Sequence, residues 1–547
     1  MELKTVRRVS GKVLVMGDSI SDDGRYISYM NAFMALACPE EKTHFFNAGV
    51  SSETLSGLSE PEHPFPRPCG FDRLARALDA VKPDWVLVQF GMNDGIYYPL
   101  NEERLAAFKA GYRRMTDAIH AAGCGVIAVT PPPFDTKSFA GPLLPENAEP
   151  YAYSHPYEGY DEVLAAESAF ILDREASGAD LAVDLRTPLL QDREALRAED
   201  PEAVSGDGIH PDAHGHWVMA AALLKALFNR NAENFLPRLS ATEAGVEWLD
   251  RFAALDRAEH TQLKECIGHE LPVKAPLMSP EAAEAARVDA MAELDIFAAL
   301  HPALLEGEDE FRGYRMLRFF FRGFDALMVF PKEAAADGRW AIRTEFFGAF
   351  ADADETLLRR GYHLAYIRQC DRYGTPETAD LLEAFRKYAA LRFGLSQRIG
   401  LLGLSRGGLY AAHYAGTYPE NTAALYLDAP VVDLASWPMG MDGDTPSACT
   451  LECLREFEMT KEDMSPFYTF RARMHESLVA HRVPMILVAG DSDDAVPFEK
   501  NGRMLEGLYR EAGIPFALEL KPGVGHHPHG PTDPEAVADF WDRYGRW

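Results

Sequence analysis

The feature that most constrains the fold is an alternation of short apolar runs with helical patterns. In the first half of the chain, strands are predicted over residues 13–16, 85–90 and 126–129, and residues 103–122 have helical spacing. Strands that alternate with helices form a mostly parallel sheet, since parallel neighbours need a long crossover connection. The first half is therefore predicted to be an α/β domain.

The second half repeats this pattern with different residues. A helix is predicted over 377–392 and another after Ser405, among strands at 314–322, 326–330, 340–346, 363–367, 398–402, 424–427, 485–489 and 516–520. The same argument predicts a second α/β domain with a parallel sheet. A chain of 547 residues has room for two such domains, each with its own core.

The predicted boundaries are 1–235 for the first domain and 311–547 for the second. Residues 236–310 are mostly polar with helical spacing, and they lack the Gly/Ser tracts of a flexible linker. They are predicted to form a helical connector.

Charge and cysteine content exclude several classes of function. The 84 acidic residues against 54 basic ones give a formal net charge of −30, which argues against binding to nucleic acid or anionic membranes. Seven cysteines without a CxxC pair argue against a disulfide framework or a structural zinc site. With no secretory signal and no apolar run long enough to span a bilayer, the expected compartment is the cytoplasm.

Four segments of the first half carry the groups that acyl transfer needs. Two of them directly follow predicted strands: Gly17-Asp18-Ser19 after the strand at 13–16, and Gly91-Met92-Asn93-Asp94 after the strand at 85–90. The other two are Asn47-Ala48-Gly49-Val50 and Asp207-Gly208-Ile209-His210-Pro211. A serine nucleophile needs a base with an orienting partner, and the oxyanion needs aimed donors. The simpler alternative is that Asp18 or Ser19 only caps a helix.

In order and spacing these segments resemble the SGNH (GDSL) hydrolase family over about residues 10–230. The resemblance implies a flavodoxin-like three-layer α/β/α domain with Ser19 as nucleophile, His210 as base and Asp207 orienting His210. It further implies an oxyanion hole made by the backbone N–H groups of Ser19 and Gly49 and by the Asn93 side chain.

Gly403-Leu404-Ser405-Arg406-Gly407 is a G-x-S-x-G sequence between a predicted strand and a predicted helix. An aspartate segment and a histidine segment follow later, and this order resembles the α/β-hydrolase superfamily over about residues 310–547. The resemblance assigns Ser405 as nucleophile, Asp493 as acid ahead of Asp494, and His526 as base ahead of His527 and His529. A metal site at these histidines is disfavoured, because no cysteine or carboxylate stands beside them at ligand spacing.

The oxyanion donors of this second site are less clearly marked. The backbone N–H of Arg406 is expected to supply one donor. The H-G-G-G sequence of many lipases is missing, and Glu345-Phe346-Phe347-Gly348 stands in its place. A backbone N–H near Phe346 or Phe347 is therefore expected to be the other donor.

Two serine sites on one chain resemble the architecture of bacterial carbohydrate esterases. We expect a bifunctional carbohydrate O-acetylesterase without metal or cofactor, acting on imported oligosaccharides. The alternatives are a lipid, aryl-ester or thioester hydrolase, a prolyl-oligopeptidase-like second unit, and a binding module with one vestigial site. Two further expectations are a cap at 430–482 and a sugar-stacking cluster of Tyr151, Tyr153, Tyr157 and Tyr160. The sequence does not indicate the oligomeric state.

Overall fold

The structure, a computed structural model, describes residues 9–269, 280–442, 446–462, 464 and 476–547. The chain divides into two compact units, one ending at Leu305 and one beginning at Glu306. Of the expected connector, the described residues 236–269 and 280–305 belong to the first unit, and residues 306–310 lie in a strand of the second. The reason is local packing, because the long helix at Glu243–Ile267 buries Trp248, Phe252 and Ile267 within the first unit.

The first unit contains a five-stranded parallel sheet with the order β2-β1-β3-β4-β5. Its strands are β1 (Lys12–Gly17), β2 (His44–Asn47), β3 (Trp85–Gln89), β4 (Gly125–Val129) and β5 (Leu181–Val183). Its helices are α1 (Ser19–Asp23), α2 (Arg25–Ala37), α3 (Phe71–Val81), α4 (Glu102–Ala121), α5 (Asp161–Leu172), α6 (Arg174–Ser177), α7 (Arg186–Glu199), α8 (Ala213–Phe228), α9 (Phe235–Ser240), α10 (Glu243–Ile267) and α11 (Pro280–Leu300). This strand order is flavodoxin-like, as expected, and its chain reversal beside β1 is where such sheets bind ligands.

Burial explains why these strands form. The residues of β3 and β4 are all buried, and β1 is buried after its first residue. Such continuous apolar runs are typical of parallel strands covered on both faces by helices. The α4 residues Phe108, Tyr112 and Met115 pack with Val86 and Val88 of β3 in one core cluster.

The second unit contains a nine-stranded sheet with the order β14-β13-β12-β11-β9-β10-β8-β7-β6. Its strands are β6 (Glu306–Phe311), β7 (Tyr314–Phe321), β8 (Phe324–Val329), β9 (Trp340–Arg343), β10 (His363–Ile367), β11 (Ile399–Leu404), β12 (Thr422–Asp428), β13 (Met485–Gly490) and β14 (Phe516–Lys521). Its helices are α12 (Asp352–Arg359), α13 (Pro376–Phe393), α14 (Gly407–Thr417), α15 (Ala448–Glu456), α16 (Gly502–Ala512) and α17 (Glu535–Tyr544).

This sheet is mixed, so the expectation of a parallel sheet holds only for part of it. Strands β6, β7 and β8 pair antiparallel, and β8 also pairs antiparallel with β10. The reason is two tight hairpins at Arg312-Gly313 and Arg322-Gly323, where all four residues have positive φ. Two-residue turns of this kind leave no room for a crossover helix.

The remaining strand pairs, from β10 and β9 to β14, are parallel. Their carboxyl ends therefore meet at one edge of the sheet, where α/β proteins place their ligands. In the part of the chain that the structure describes, no helix has the length and apolar character needed to cross a membrane.

Candidate active sites

The first site lies at the carboxyl ends of β1, β2 and β3. Ser19 begins α1 directly after β1, and Asn93 follows β3. Asp18, not Ser19, caps α1, because its carboxylate accepts the Ile20 N–H at 3.0 Å. The Ser19 hydroxyl is therefore not used by the cap.

Ser19, His210 and Asp207 are hydrogen-bonded in series. Ser19 Oγ lies 2.9 Å from His210 Nε2, and His210 Nδ1 lies 2.9 Å from Asp207 Oδ2. Because Nδ1 faces a carboxylate, it carries the proton and leaves Nε2 to accept the serine proton. The structure thus brings together the three residues that the sequence proposes for acyl transfer.

The loop that carries Asp207 and His210 is anchored at Gly208. This glycine has φ of +96°, and a Cβ there would lie 2.8 Å from the Asp135 carbonyl oxygen. Asp135 donates its N–H to the Gly208 carbonyl at 2.9 Å, and its carboxylate pairs with Arg197 at 2.6 Å. The segment around Asp135 therefore holds the loop that carries His210 in place.

Electrostatics in this loop favour a charged pair. Burial raises the pKa of Asp207, but hydrogen bonds from the His210 side chain and from the backbone of His210 and Ile209 outweigh it and lower the pKa to about 2. The hydrogen bond to Asp207 raises the pKa of His210 above its ordinary value of 6.5, against a smaller opposing effect of burial. Asp207 therefore stays ionised wherever the site works.

A pH profile tests this coupling. Only neutral His210 can accept the serine proton, so we expect first-site kcat/KM to fall as pH drops through the raised pKa of His210. In Asp207→Asn the negative charge is lost and the neutral amide is a weaker hydrogen-bond acceptor than the carboxylate, so the pKa of His210 falls and the acid limb moves to lower pH while the plateau rate falls. The measurement is kcat/KM against pH in the Ser405→Ala background. An acid limb that stays in place in Asp207→Asn would contradict the assignment.

The oxyanion donors of the first site differ in their availability. The backbone N–H of Ser19 has no partner among the described residues. The Asn93 Nδ2 donates one hydrogen to the Glu53 carbonyl at 3.1 Å, which leaves its second hydrogen available. The Gly49 N–H, expected to point at the oxyanion, instead donates to Asn47 Oδ1 at 2.8 Å, so an oxyanion there must share it.

The sequence gives no indication of His260, which supports the Gly49 loop by a hydrogen bond. His260 of α10 lies with Nε2 3.2 Å from the Gly49 carbonyl oxygen and 3.5 Å from Asp22 Oδ1. Both of these atoms are acceptors, so Nε2 carries the proton and donates. Burial lowers the pKa of His260, which keeps the ring neutral. No local pattern marks this residue, because its role depends on α10 packing beside β2.

We expect His260 to act as a positioning residue for the Gly49 loop. Losing one hydrogen bond of about 0.5–1.5 kcal/mol lowers kcat roughly two- to tenfold in His260→Ala. In His260→Gln a side-chain N–H is kept, so part of the rate returns. For each variant, kcat and KM are measured in the Ser405→Ala background, and KM is expected to change little. An effect confined to KM, or equal loss in both variants, would speak against a positioning role.

The second site has the same chemistry on a different scaffold. Ser405 Oγ lies 2.9 Å from His526 Nε2, and His526 Nδ1 lies 2.7 Å from Asp493 Oδ2. The buried Asp493 also accepts the N–H groups of Ala495 and Val496 through its other oxygen. Asp494, the alternative acid, is exposed.

The turn that presents Ser405 is strained and tightly packed. Ser405 has φ of +49°, a conformation that residues other than glycine rarely adopt. A Cβ on Gly403 would lie 2.8 Å from the Gly407 carbonyl oxygen, so this position admits only glycine without a shift. The strain holds the serine hydroxyl clear of the strand end.

The two backbone N–H groups expected to stabilise the oxyanion of the second site are without a partner in the described part of the chain. Neither Arg406 nor Phe346 donates its N–H to another described residue. Strand β9 ends at Arg343, earlier than predicted, and Phe346 sits in the following loop with φ of +54°. The Arg406 guanidinium pairs with Glu345 at 3.1 Å and Asp371 at 2.9 Å, which ties this loop to the serine turn.

Asp428, at the end of β12, is hydrogen-bonded both to Ser405 and to the segment that follows His526. Its carbonyl accepts the Ser405 N–H at 2.9 Å, and its carboxylate accepts from His529 Nδ1 at 2.8 Å and Gly530 N at 2.6 Å. His529 is therefore bound to Asp428, whereas His526 faces Ser405. The sequence offers no signal for this arrangement, because the contacts span about a hundred residues.

Two of the four tyrosines expected to stack on sugar rings are part of the protein core. Tyr151 and Tyr160 are buried, and the Tyr160 hydroxyl donates to the Met92 carbonyl. Only Tyr153 of the four is exposed. Stacking on a sugar therefore cannot involve Tyr151 or Tyr160.

The expected cap is only partly described. Phe467 lies outside the described residues, and Met441 is exposed. Met439 and Trp437 pack with Tyr373 and Val496 in an apolar cluster that also contains Val431, whose N–H donates to the Ser405 carbonyl. The described part thus places apolar side chains next to the serine turn.

Comparisons with known proteins separate the two halves in the same way. Residues 15–218 match the GDSL-like Lipase/Acylhydrolase family, and residues 362–545 match the Prolyl oligopeptidase family. These matches confirm both of the resemblances that the sequence motifs indicate.

Individual relatives are distant. Acylamino-acid-releasing enzyme of Sus scrofa is 29% identical over 133 residues, and the match covers 24% of this chain and 18% of that protein. Acetylxylan esterase of Geobacillus stearothermophilus is 24% identical over 237 residues, covering 40% of this chain and 93% of that protein. A solved structure of an acetyl-xylooligosaccharide esterase, also from Geobacillus, is 22% identical with a TM-score of 0.31 and covers 41% of this chain and 97% of that one. The chain thus spans only about a fifth of the length of the acylamino-acid-releasing enzymes that it matches.

Proposed function

We propose that this chain, in which a GDSL-like lipase/acylhydrolase domain precedes an α/β-hydrolase domain of the prolyl oligopeptidase family, is a bifunctional serine esterase. Its proposed substrates are acetylated hemicellulose oligosaccharides, with one acetyl position for each site. The observation that carries the proposal is the pair of Ser–His–Asp hydrogen-bond chains, each with a serine-to-histidine distance of 2.9 Å.

The proposed chemistry is the same at both sites. The serine oxygen attacks the ester carbonyl while the histidine Nε2 takes the serine proton, and the histidine then gives this proton to the sugar oxygen as its bond to the acetyl carbon breaks. Water, activated by the same histidine, hydrolyses the acetyl-enzyme and releases acetate. The aspartate keeps the histidine oriented and stabilises its charged form.

Support for a carbohydrate ester comes from similarity and from charge. A relative named acetylxylan esterase aligns over 93% of its own length. The net charge of −30 favours a neutral substrate over nucleic acid or an anionic membrane, neither of which we propose as a partner. We place the activity in the cytoplasm, which agrees with all seven cysteines being free.

A second candidate applies to the second unit alone. Its match to the Prolyl oligopeptidase family, and relatives that release acylated amino acids, favour cleavage of an amide bond at Ser405. The same hydrogen-bond chain serves either reaction, so the substrate decides between them.

The deciding assay offers the full chain three kinds of substrate. These are acetylated xylo-oligosaccharides, p-nitrophenyl esters from acetyl to long acyl chains, and N-acetyl-alanine p-nitroanilide. We expect acetate release from the oligosaccharides and faster turnover of acetyl than of long-chain esters. Faster turnover of long chains would instead indicate a lipid hydrolase. Anilide cleavage that Ser405→Ala removes, without loss of deacetylation, would make the second unit a peptidase.

A further inference from the structure

Three imidazole rings form a triangle in the second unit. The ring centroids of His526, His527 and His529 are 5.0, 4.9 and 5.0 Å apart. One ring nitrogen of each lies within 4.8 Å of those of the other two. Proton transfer at Ser405 needs only His526, so this site holds two more imidazoles than its chemistry uses.

Carboxylates already orient two of the rings. His526 Nδ1 lies 2.7 Å from Asp493 Oδ2, and His529 Nδ1 lies 2.8 Å from Asp428 Oδ1. Each Nδ1 therefore carries its proton and leaves a lone pair on Nε2. Metal-binding histidines are held in the same way, with the second ring nitrogen donating to a carboxylate.

The third ring is free to adjust. His527 is exposed, stacks on Phe350 at 5.6 Å, and makes no ring hydrogen bond within the described part of the chain. Tetrahedral zinc with bonds of about 2.1 Å needs nitrogens roughly 3.4 Å apart, closer than 4.8 Å. Movement of this exposed ring shortens its distances to the nitrogens of His526 and His529, and the spacing between those two nitrogens must also contract as the ion binds.

Although the sequence spacing alone disfavours a metal at these histidines, the three rings lie together in the structure, and we propose that His526, His527 and His529 form a binding site for Zn²⁺, and that the bound ion reversibly inhibits the second serine site. The ion takes the Nε2 lone pair of His526, the pair that otherwise accepts the Ser405 proton, so a metal–nitrogen bond replaces that hydrogen bond. No proton or electron is transferred. The inhibition rests on the proposed role of His526 as base, and the ion is an exchangeable inhibitor, unlike a resident catalytic metal.

The first test measures inhibition in the Ser19→Ala background, where all turnover comes from Ser405. Buffered Zn²⁺ is titrated against p-nitrophenyl acetate hydrolysis, and a chelator is then added. We expect inhibition that the chelator reverses. We also expect the half-inhibitory concentration to rise roughly tenfold or more in His527→Ala, because one ligand is lost. His481→Ala, which removes an exposed histidine elsewhere in the unit, is the matched control and should leave inhibition unchanged.

The second test measures binding without substrate. Equilibrium dialysis against Zn²⁺ is expected to show one bound ion fewer in His527→Ala than in His481→Ala. This result is independent of the esterase proposal, since it holds even if no ester is turned over. Equal zinc binding and equal inhibition in the two variants would overturn the site, and binding without inhibition would overturn the inhibitory role.

Discussion

Ser19→Ala is expected to abolish hydrolysis at the first site and to leave the second site active, and Ser405→Ala is expected to do the reverse. Each serine carries the one hydroxyl group in its hydrogen-bond chain, and the two chains share no residue. Removing a serine nucleophile typically costs roughly 10⁴-fold or more in rate. The double variant should therefore hydrolyse every ester roughly 10⁴-fold or more slowly than the wild type.

The measurement combines turnover with covalent labelling. The kcat/KM values on p-nitrophenyl acetate are taken for the wild type, both single variants and the double variant. A fluorophosphonate probe then reports which serine is activated, independently of the natural substrate. We expect two labelled serines in the wild type, one in each single variant and none in the double variant. A single variant that keeps both labels would show that the nucleophile was assigned to the wrong serine.

Gly49→Ala is expected to inactivate the first site alone. A Cβ at this position would lie 2.4 Å from the backbone nitrogen of Asp22 and 2.5 Å from the carbonyl carbon of Ser21. Both atoms belong to α1, the helix that begins with Ser19, so the helix must shift to admit the methyl group. A misplacement of about 1 Å costs roughly 10²-fold in rate, and overpacking costs about 1–3 kcal/mol of stability.

The control for this variant is Gly507→Ala in α16, where a Cβ would meet nothing within 4 Å. Alanine stabilises a helix interior by about 0.5–1 kcal/mol relative to glycine, so this substitution should raise the melting temperature. First-site kcat/KM is measured in the Ser405→Ala background, and second-site kcat/KM in the Ser19→Ala background. Unchanged first-site activity in Gly49→Ala would mean that α1 need not stay in place.

The sequence predicts the elements near the chemistry well. The strands ahead of Ser19 and Ser405 form close to their predicted places, because continuous apolar runs flanked by glycine are typical of buried parallel strands. Both serine–histidine–aspartate sets come together, since each residue type stands in a motif at a strand or helix end. Local patterns suffice for these features.

Other features depend on distant contacts. The hairpins at Arg312-Gly313 and Arg322-Gly323 make part of the second sheet antiparallel, which alternation alone does not reveal. The Gly49 N–H turns to Asn47, and His260 reaches Gly49 from more than two hundred residues away. Periodicity also cannot separate a buried Tyr160 from an exposed Tyr153, because burial is decided by the elements that pack above them.

Asp428 is hydrogen-bonded both to Ser405 and to the loop that carries the histidines of the second site. Its backbone holds Ser405 and its side chain holds His529 and Gly530, a few residues from His526. When the end of β12 shifts, Ser405 and the segment that begins at His529 shift with it, because both are hydrogen-bonded to Asp428. We therefore expect the distance between Ser405 Oγ and His526 Nε2 to change less than the position of the sheet edge itself.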